Sequence, residues 1–242
     1  MAHGAKDCSN VLMPAQAYRL DDLGELAVRL GSIVTYNRAG MVLLLDGFET
    51  GLDAWTIDTY GVGTSVVLTS DKAYNGGACV VMDSGTGATP LAQMIRFTPV
   101  RVPTRMGFQV FFSPDNDLST MVIGIISDRI PTARSFQVEY KHSTGELRYY
   151  RAGPGWTLFA SMGEQYFDND DWHNIKMIID TETGEYVRCY FDDKVYDLSG
   201  FLPYTQDWAR GPMEYIMLMT WGTALLAGVN YVDNVVVTFN EP

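Results

Sequence analysis

The sequence predicts an all-β fold, a two-sheet antiparallel β-sandwich with an N-terminal arm. Three observations carry that prediction. The composition is rich in strand and turn formers, with 14 Tyr and 23 Gly among 242 residues, where a helical protein would lean on Ala, Leu, Glu and Lys. From Asp46 onward, short runs of period-two alternation are separated by explicit turn sequences at roughly the 8 to 12 residue spacing of a sandwich. Long helical patterns are missing from that region, which argues against a parallel sheet because parallel strands need long crossover connections. A single unit of this size is ordinary for such folds, which run to roughly 200–250 residues.

The first 45 residues differ from the rest. In LDDLGELAVRLGS, Leu20, Leu23, Leu26, Ala27 and Leu30 recur at helical spacing, with Asp21 or Asp22 as N-cap and Gly31 as a stop. Gly24 weakens that short helix. SIVTY and MVLLLD then flank NRAG, which reads as a hairpin or a sharp reversal. A segment this small cannot bury its own core, so it must lie on the sandwich or on another subunit. The predicted division is an arm over 1–45, for anchoring or oligomerisation, and a sandwich over 46–242.

In the sandwich, MGFQVFFS places Phe108, Val110 and Phe112 on one strand face, and SFQVEYK does the same with Phe136, Val138 and Tyr140. Turns follow at HSTG, AGPG, TETG and Asp192-Asp193. Two hairpins in series fill DWHNIKMIIDTETGEYVRCYFDDKVYDLSG. There Ile175, Met177 and Ile179 alternate with Lys176 and Asp180, while Val187, Cys189 and Phe191 alternate with Tyr186, Arg188 and Tyr190.

The formal charge of −12 and pI near 4.5 disfavour nucleic acid, because phosphate-tracking grooves need Lys and Arg. No window approaches the ~20 apolar residues of a membrane span. The run Val11-Leu12-Met13 ends at Pro14, short of the roughly 7–15 apolar residues of a signal peptide, so no export signal is expected. Cys79 and Cys189 sit in apolar strand patterns and Cys8 in the tail, which reads as reduced thiols with two of them in the core.

The meander, with Trp172 and His173 opening a strand and FDDKVY following, resembles concanavalin A-like and laminin-G-like jelly rolls. The ends, DGFETGLDAW and NYVDNVVVTF, resemble carbohydrate-binding modules of the galactose-binding jelly-roll type, which begin F-E-x-G-x-x-x-W. That resemblance implies a two-sheet jelly roll over Asp46 to Phe239. It also implies a structural Ca2+ joining first and last strands, with Glu49 and Asp233 as ligands and Asp46 as a nearby oxygen donor. Calcium takes roughly six to eight oxygens, several of which can be backbone carbonyls; the plain alternative is three solvated strand-end carboxylates. The stretch LGSIVTYNRAGMVLLLDGFETGL resembles the opening of proteins from tailed bacteriophages and prophages. It implies a virion surface or capsid decoration protein, assembled in the host cytoplasm against capsid or tail partners without an export signal.

Glycan binding needs exposed aromatics beside hydrogen-bonding groups. Tyr186, Arg188 and Tyr190 on one strand face are candidates, with Tyr149, Tyr150 and Trp156 around the AGPG turn. Against this stands the general tendency of aromatics to cover core edges. A catalytic role is not expected. Glycoside hydrolysis wants two carboxyl groups about 5–10 Å apart, and the E-x-D-x-x-E strand of laminarinase-type jelly rolls is missing, Glu139 being followed by Tyr140 and Lys141. No G-x-S-x-G elbow occurs, and GVGTS and DSGTGATP lack the Lys and helix of a phosphate loop. The expected function is a non-enzymatic, homo-oligomeric virion surface protein with no required cofactor. The alternative is a carbohydrate-binding module stabilised by Ca2+.

Overall fold

The computed structural model describes residues 40–99, 104–129, 132–153, 155–163, 171–207 and 212–242. The predicted arm helix, SIVTY and Cys8 lie outside them. Chain contacts separate Met1–Arg38 from Ala39–Pro242, and the second unit is the sandwich. Its strands begin with β1 (Met41–Asp46), β2 (Thr56–Val62), β3 (Ser65–Thr69), β4 (Cys79–Asp83), β5 (Thr86–Thr98), β6 (Arg105–Pro114), β7 (Thr120–Arg129) and β8 (Thr132–Lys141). They continue as β9 (Glu146–Tyr150), β10 (Trp156–Ser161), β11 (His173–Asp180), β12 (Glu185–Phe191), β13 (Lys194–Asp197), β14 (Tyr204–Asp207), β15 (Met213–Trp221) and β16 (Val229–Phe239).

Two antiparallel sheets form a jelly-roll sandwich. Sheet A runs β13-β12-β11-β6-β16-β4-β3 with β1 on β16; sheet B runs β10-β9-β8-β7-β15-β5-β2 with β14 on β8. The predicted alternation sets the core: Phe108, Val110 and Phe112 on β6 and Phe136, Val138 and Tyr140 on β8 are all buried between the sheets. Each such side chain removed from water contributes about 1.5–3 kcal/mol. MVLLLD, placed in the arm by its sequence, is a strand of the sandwich, paired from Met41↔Phe239 to Asp46↔Val235. Cys79 and Cys189 are free and buried, and burial pushes the Cys79 thiol up to about 11.

The meander departs from simple alternation in one place. Cys189 and Phe191 point into the core as predicted, but the β11–β12 register shifts between Ile178↔Arg188 and Ile179↔Tyr186. Val187 is the extra residue of a β-bulge with no partner on β11, which turns the side chain before it to the other face. Tyr186, expected outside with Arg188 and Tyr190, is therefore 0% exposed. Its hydroxyl accepts from Gln137 N at 2.7 Å and shares its proton between Gln137 O at 3.1 Å and Tyr150 O at 3.0 Å. The ring packs edge-on to Phe136 at 5.3 Å and Tyr149 at 5.5 Å.

Sheet A is also covered outside at its centre. Gly107 leaves room there: a Cβ would fall 2.4 Å from Thr238 Oγ1 and 2.9 Å from Lys176 Cε. The C-terminal residues turn back over this gap, with Glu241 N donating to Arg105 O at 3.3 Å and Lys176 Nζ pairing with Glu241 at 2.6 Å. Tyr186→Phe keeps the ring and removes the hydroxyl that holds β8 and β9 to β12. It is expected to lower unfolding free energy by about 1–3 kcal/mol, read from denaturant midpoints at unchanged slope; an unchanged midpoint would contradict the bulge's role.

Candidate functional site

Strands β7 and β15 sit mid-sheet in B and carry apolar residues on both faces. Inward lie Met121, Ile123 and Ile125 of β7 with Ile216 and Leu218 of β15, all in the main core. Outward, Val122, Ile126, Met217 and Met219 form a second apolar cluster, with Leu91, Ile95, Trp156, Tyr215 and Trp221 packed on it. Over it opens a cleft of about 380 Å³, bordered by Tyr150, Trp156, Tyr204, Tyr215 and Trp221, with Ser135, Gln137 and Gln206 among its polar lining.

Strand register builds each wall. Trp156 pairs with Tyr150 across β10–β9, and their rings lie 5.2 Å apart. Tyr204 pairs with Ser135 across β14–β8, and its ring meets Tyr150 at 5.3 Å. Gly124 makes room for two cleft side chains, since a Cβ there would lie 2.6 Å from the Met217 methyl and 3.2 Å from Gln137 Cγ. Met217 thereby fills the floor with a flexible, polarisable side chain, and its sulfur accepts from Gln93 Nε2 at 3.6 Å. Gln137 donates to Ser135 Oγ and Gln206 to Tyr204 OH, each at 2.6 Å. Burial, then Tyr204, pushes the Tyr150 phenol up, so it stays a neutral donor and acceptor. Beside the cleft, on the same face, Arg148 forms an ion pair with Glu139; burial still raises the Glu139 carboxyl. Arg134 also borders the cleft, and its Nη1 donates to Thr181 O at 3.2 Å.

The predicted glycan set is thus divided among three places. Tyr150 and Trp156 border the cleft. Tyr149 faces inward, stacked on Phe201 at 4.6 Å, because its neighbour Tyr150 takes the outward position. Tyr186 is in the core. Arg188 and Tyr190 sit on the outward side of sheet A, where Arg188 bonds Tyr190 OH at 3.5 Å and the Pro242 carbonyl. Tyr204, Tyr215 and Trp221 were missed. The signal was present in MEYIMLMTW, whose Met213, Tyr215, Met217, Met219 and Trp221 form an apolar alternate set, while Ile216 and Leu218 of the other set enter the core.

The predicted calcium set also divides. Asp46 Oδ1 accepts from Phe48 N at 2.9 Å, and Oδ2 accepts from Trp55 Nε1 at 3.0 Å and pairs with Arg96. These bonds hold DGFETGLDAW closed, with Phe48 at φ 61° and its buried ring 5.9 Å from Trp55. Glu49 and Asp233 meet instead on the loop 74–78. Glu49 Oε1 accepts from Gly77 N at 2.7 Å and Ala78 N at 3.2 Å; Asp233 Oδ2 accepts from Tyr74 N and Asn75 N, both at 3.0 Å. Burial, with Glu49 adding repulsion, pushes the Asp233 carboxyl up to about 6. Among the described residues no three acidic, His or Cys side chains converge on one point.

At one end of the core, Tyr140 OH and His142 Nδ1 lie 3.1 Å apart, and His173 Nδ1 pairs with Asp192 at 2.9 Å. Burial, then the neighbouring His173, holds His142 below its ordinary pKa.

No protein-family model matches the chain, and no curated protein matches it. Solved structures do. A chain named Sialidase matches with a TM-score of 0.54 and 13% identity over 83% of this chain, which spans 19% of that longer one. Cellulose induced protein Cip1 gives 0.54 and 15% over 81% of this chain and 96% of its own. The carbohydrate esterase vb_24B_21 of the Shiga toxin-encoding bacteriophage phi24B gives 0.54 and 12%, over 84% of this chain and 100% of its own. At these identities the likeness is one of fold.

The His142 shift predicts a pH dependence. A histidine whose folded pKa is lowered contributes stability that is complete above its unfolded value, near 6.5. That contribution is lost as pH falls through this value toward the folded one. The melting temperature of the wild type relative to that of His142→Gln should therefore fall on acidification below about pH 6.5; parallel curves for the two proteins would contradict the burial of a neutral imidazole.

Proposed function

We propose that the protein is a carbohydrate-binding module whose outward face of sheet B takes a glycan, without turnover. The observation that carries this is the cleft itself, in which Tyr150, Trp156 and Tyr204 stand together beside Gln137 and Gln206. Aromatic faces stack on the apolar faces of sugar rings, and the amides hydrogen-bond hydroxyls; a shallow site needs that combination. The names of Cip1 and the phage esterase, which refer to cellulose and carbohydrate, support the same class. Affinity electrophoresis through a panel of soluble polysaccharides tests it. Retardation by at least one polymer is expected, reduced on the order of tenfold in affinity by Trp156→Ala or Tyr204→Ala and unchanged by Arg188→Ala on the other sheet. No retardation by any polymer would overturn the reading, and shortening of the polymer would overturn binding without turnover.

A structural Ca2+ belongs to the same proposal, with a smaller ligand set than the sequence suggested. Glu49 and Asp233 fit a cation, because two like charges meet at one loop and burial already penalises one of them. Asp46 does not, since Arg96 already neutralises its charge, whereas Asp233 is held by the backbone N–H groups of Tyr74, Asn75 and Asn234 and Glu49 by those of Gly77 and Ala78. The ion would neutralise both carboxylates and tie the first strand's loop to the last strand, with backbone carbonyls completing its shell. Calcium is expected to raise the melting temperature of the wild type and leave that of Glu49→Gln unchanged; equal responses would contradict the site.

A second reading, a homo-oligomeric virion surface protein, rests on the resemblance of LGSIVTYNRAGMVLLLDGFETGL to phage and prophage proteins, with one phage-encoded structural neighbour. The two roles are compatible, since a particle can display a glycan-binding sandwich. Light scattering on the full chain should give a multiple of its 27.0 kDa mass; a monomer would remove the assembly half of that reading.

A further inference from the structure

Phe97 is 60% exposed on the same face as the cleft, outside its lining. It is not an isolated apolar residue of the ordinary kind. Its ring meets Tyr215 at 5.6 Å, and Tyr215 borders the cleft. Successive strand registers put Tyr204, Ser135, Ile126, Tyr215 and Phe97 on one line across the sheet, through Tyr204↔Ser135, Ile126↔Ser135, Tyr215↔Ile126 and Tyr215↔Phe97. Four strand spacings separate its ends, about 19 Å at roughly 4.8 Å each. No single sugar ring spans that distance.

From this line we infer a further binding subsite on Phe97, outside the cleft, and with it the ligand class: a linear, neutral glycan laid across the strands and bound along its length. The inference rests on the cleft reading above. Tyr150, Trp156 and Tyr204 hold one end of the bound segment, and Tyr215 and Phe97 receive rings farther along. Neutrality follows from the charges. Arg148 is spent on Glu139 and Arg134 donates to the Thr181 carbonyl, while the chain carries −12 overall. Anionic sugars would approach against the net negative charge of the chain, with Arg148 already neutralised by Glu139. A terminal sugar or a short oligomer fills the cleft and leaves Phe97 bare.

The test is calorimetric titration of the full chain with linear β-1,4-linked gluco-, xylo-, manno- and galacto-oligosaccharides of two to six units. For the series that binds, wild-type affinity should rise with length by on the order of tenfold. Phe97→Ala should match wild type on the shortest binding oligomer and lose that rise, and Phe97→Trp should keep it. A rise that survives in Phe97→Ala, or no rise in the wild type, would overturn the Phe97 subsite and leave the cleft standing. Retardation by a polymer without binding of any of these oligosaccharides would overturn the ligand class inferred here, and failure of both would overturn the cleft reading with it.

Discussion

The constraint on which the molecule's binding side depends is that sheet B is apolar on both faces. An antiparallel sheet in a sandwich needs one apolar face, and the other is ordinarily polar and wet. Here β7 and β15 place Ile123 and Leu218 in the core, and Ile126, Met217 and Met219 outside it. Outward apolar surface of that kind must be covered or used. Rings from β9, β10, β14 and β15 stand around it without closing over it, which leaves a cleft with an apolar floor and polar amides at hand.

The cleft's walls are in turn set by the core beneath. Tyr186 reaches across from sheet A to hold the backbone at Gln137 and Tyr150, one a cleft amide and the other a cleft ring. Its inward position comes from the single bulge at Val187. On the far side, Asp46 closes the DGFETGLDAW loop onto Arg96 of β5, whose next residue, Phe97, points outward to the proposed subsite. Packing between the sheets and recognition outside them therefore share the same strands. A polar change in the core is expected to weaken binding even where it touches no ligand.

The alternating strands were legible in the sequence because period two survives unbroken in β6 and β8, and Phe108 to Phe112 and Phe136 to Tyr140 could be placed on the core face by counting. Counting failed at Tyr186, since a bulge inserts one residue without any glycine or proline to mark it. It failed for Arg188 and Tyr190 in a different way: their outward placement was right, but no local pattern tells which sheet a strand joins. Trp156 and Tyr150 could be named because the AGPG turn brings them together locally. Tyr204, Tyr215 and Trp221 come from strands joined only by long-range pairing, and no spacing along the chain connects them. The ends DGFETGLDAW and NYVDNVVVTF pointed to Glu49 and Asp233, which both bind the loop 74–78. They could not show that Asp46 is held by Arg96, fifty positions away.

The most direct test is a titration of isotope-labelled protein with a retained glycan, followed by amide chemical shifts. Perturbations should gather at Gln137, Tyr150, Tyr204 and Tyr215, on the outward face of sheet B, and leave Arg188 and Tyr190 still. Shifts centred on sheet A or on the loop 74–78, with sheet B silent, would show that the aromatic cleft is not where the glycan binds.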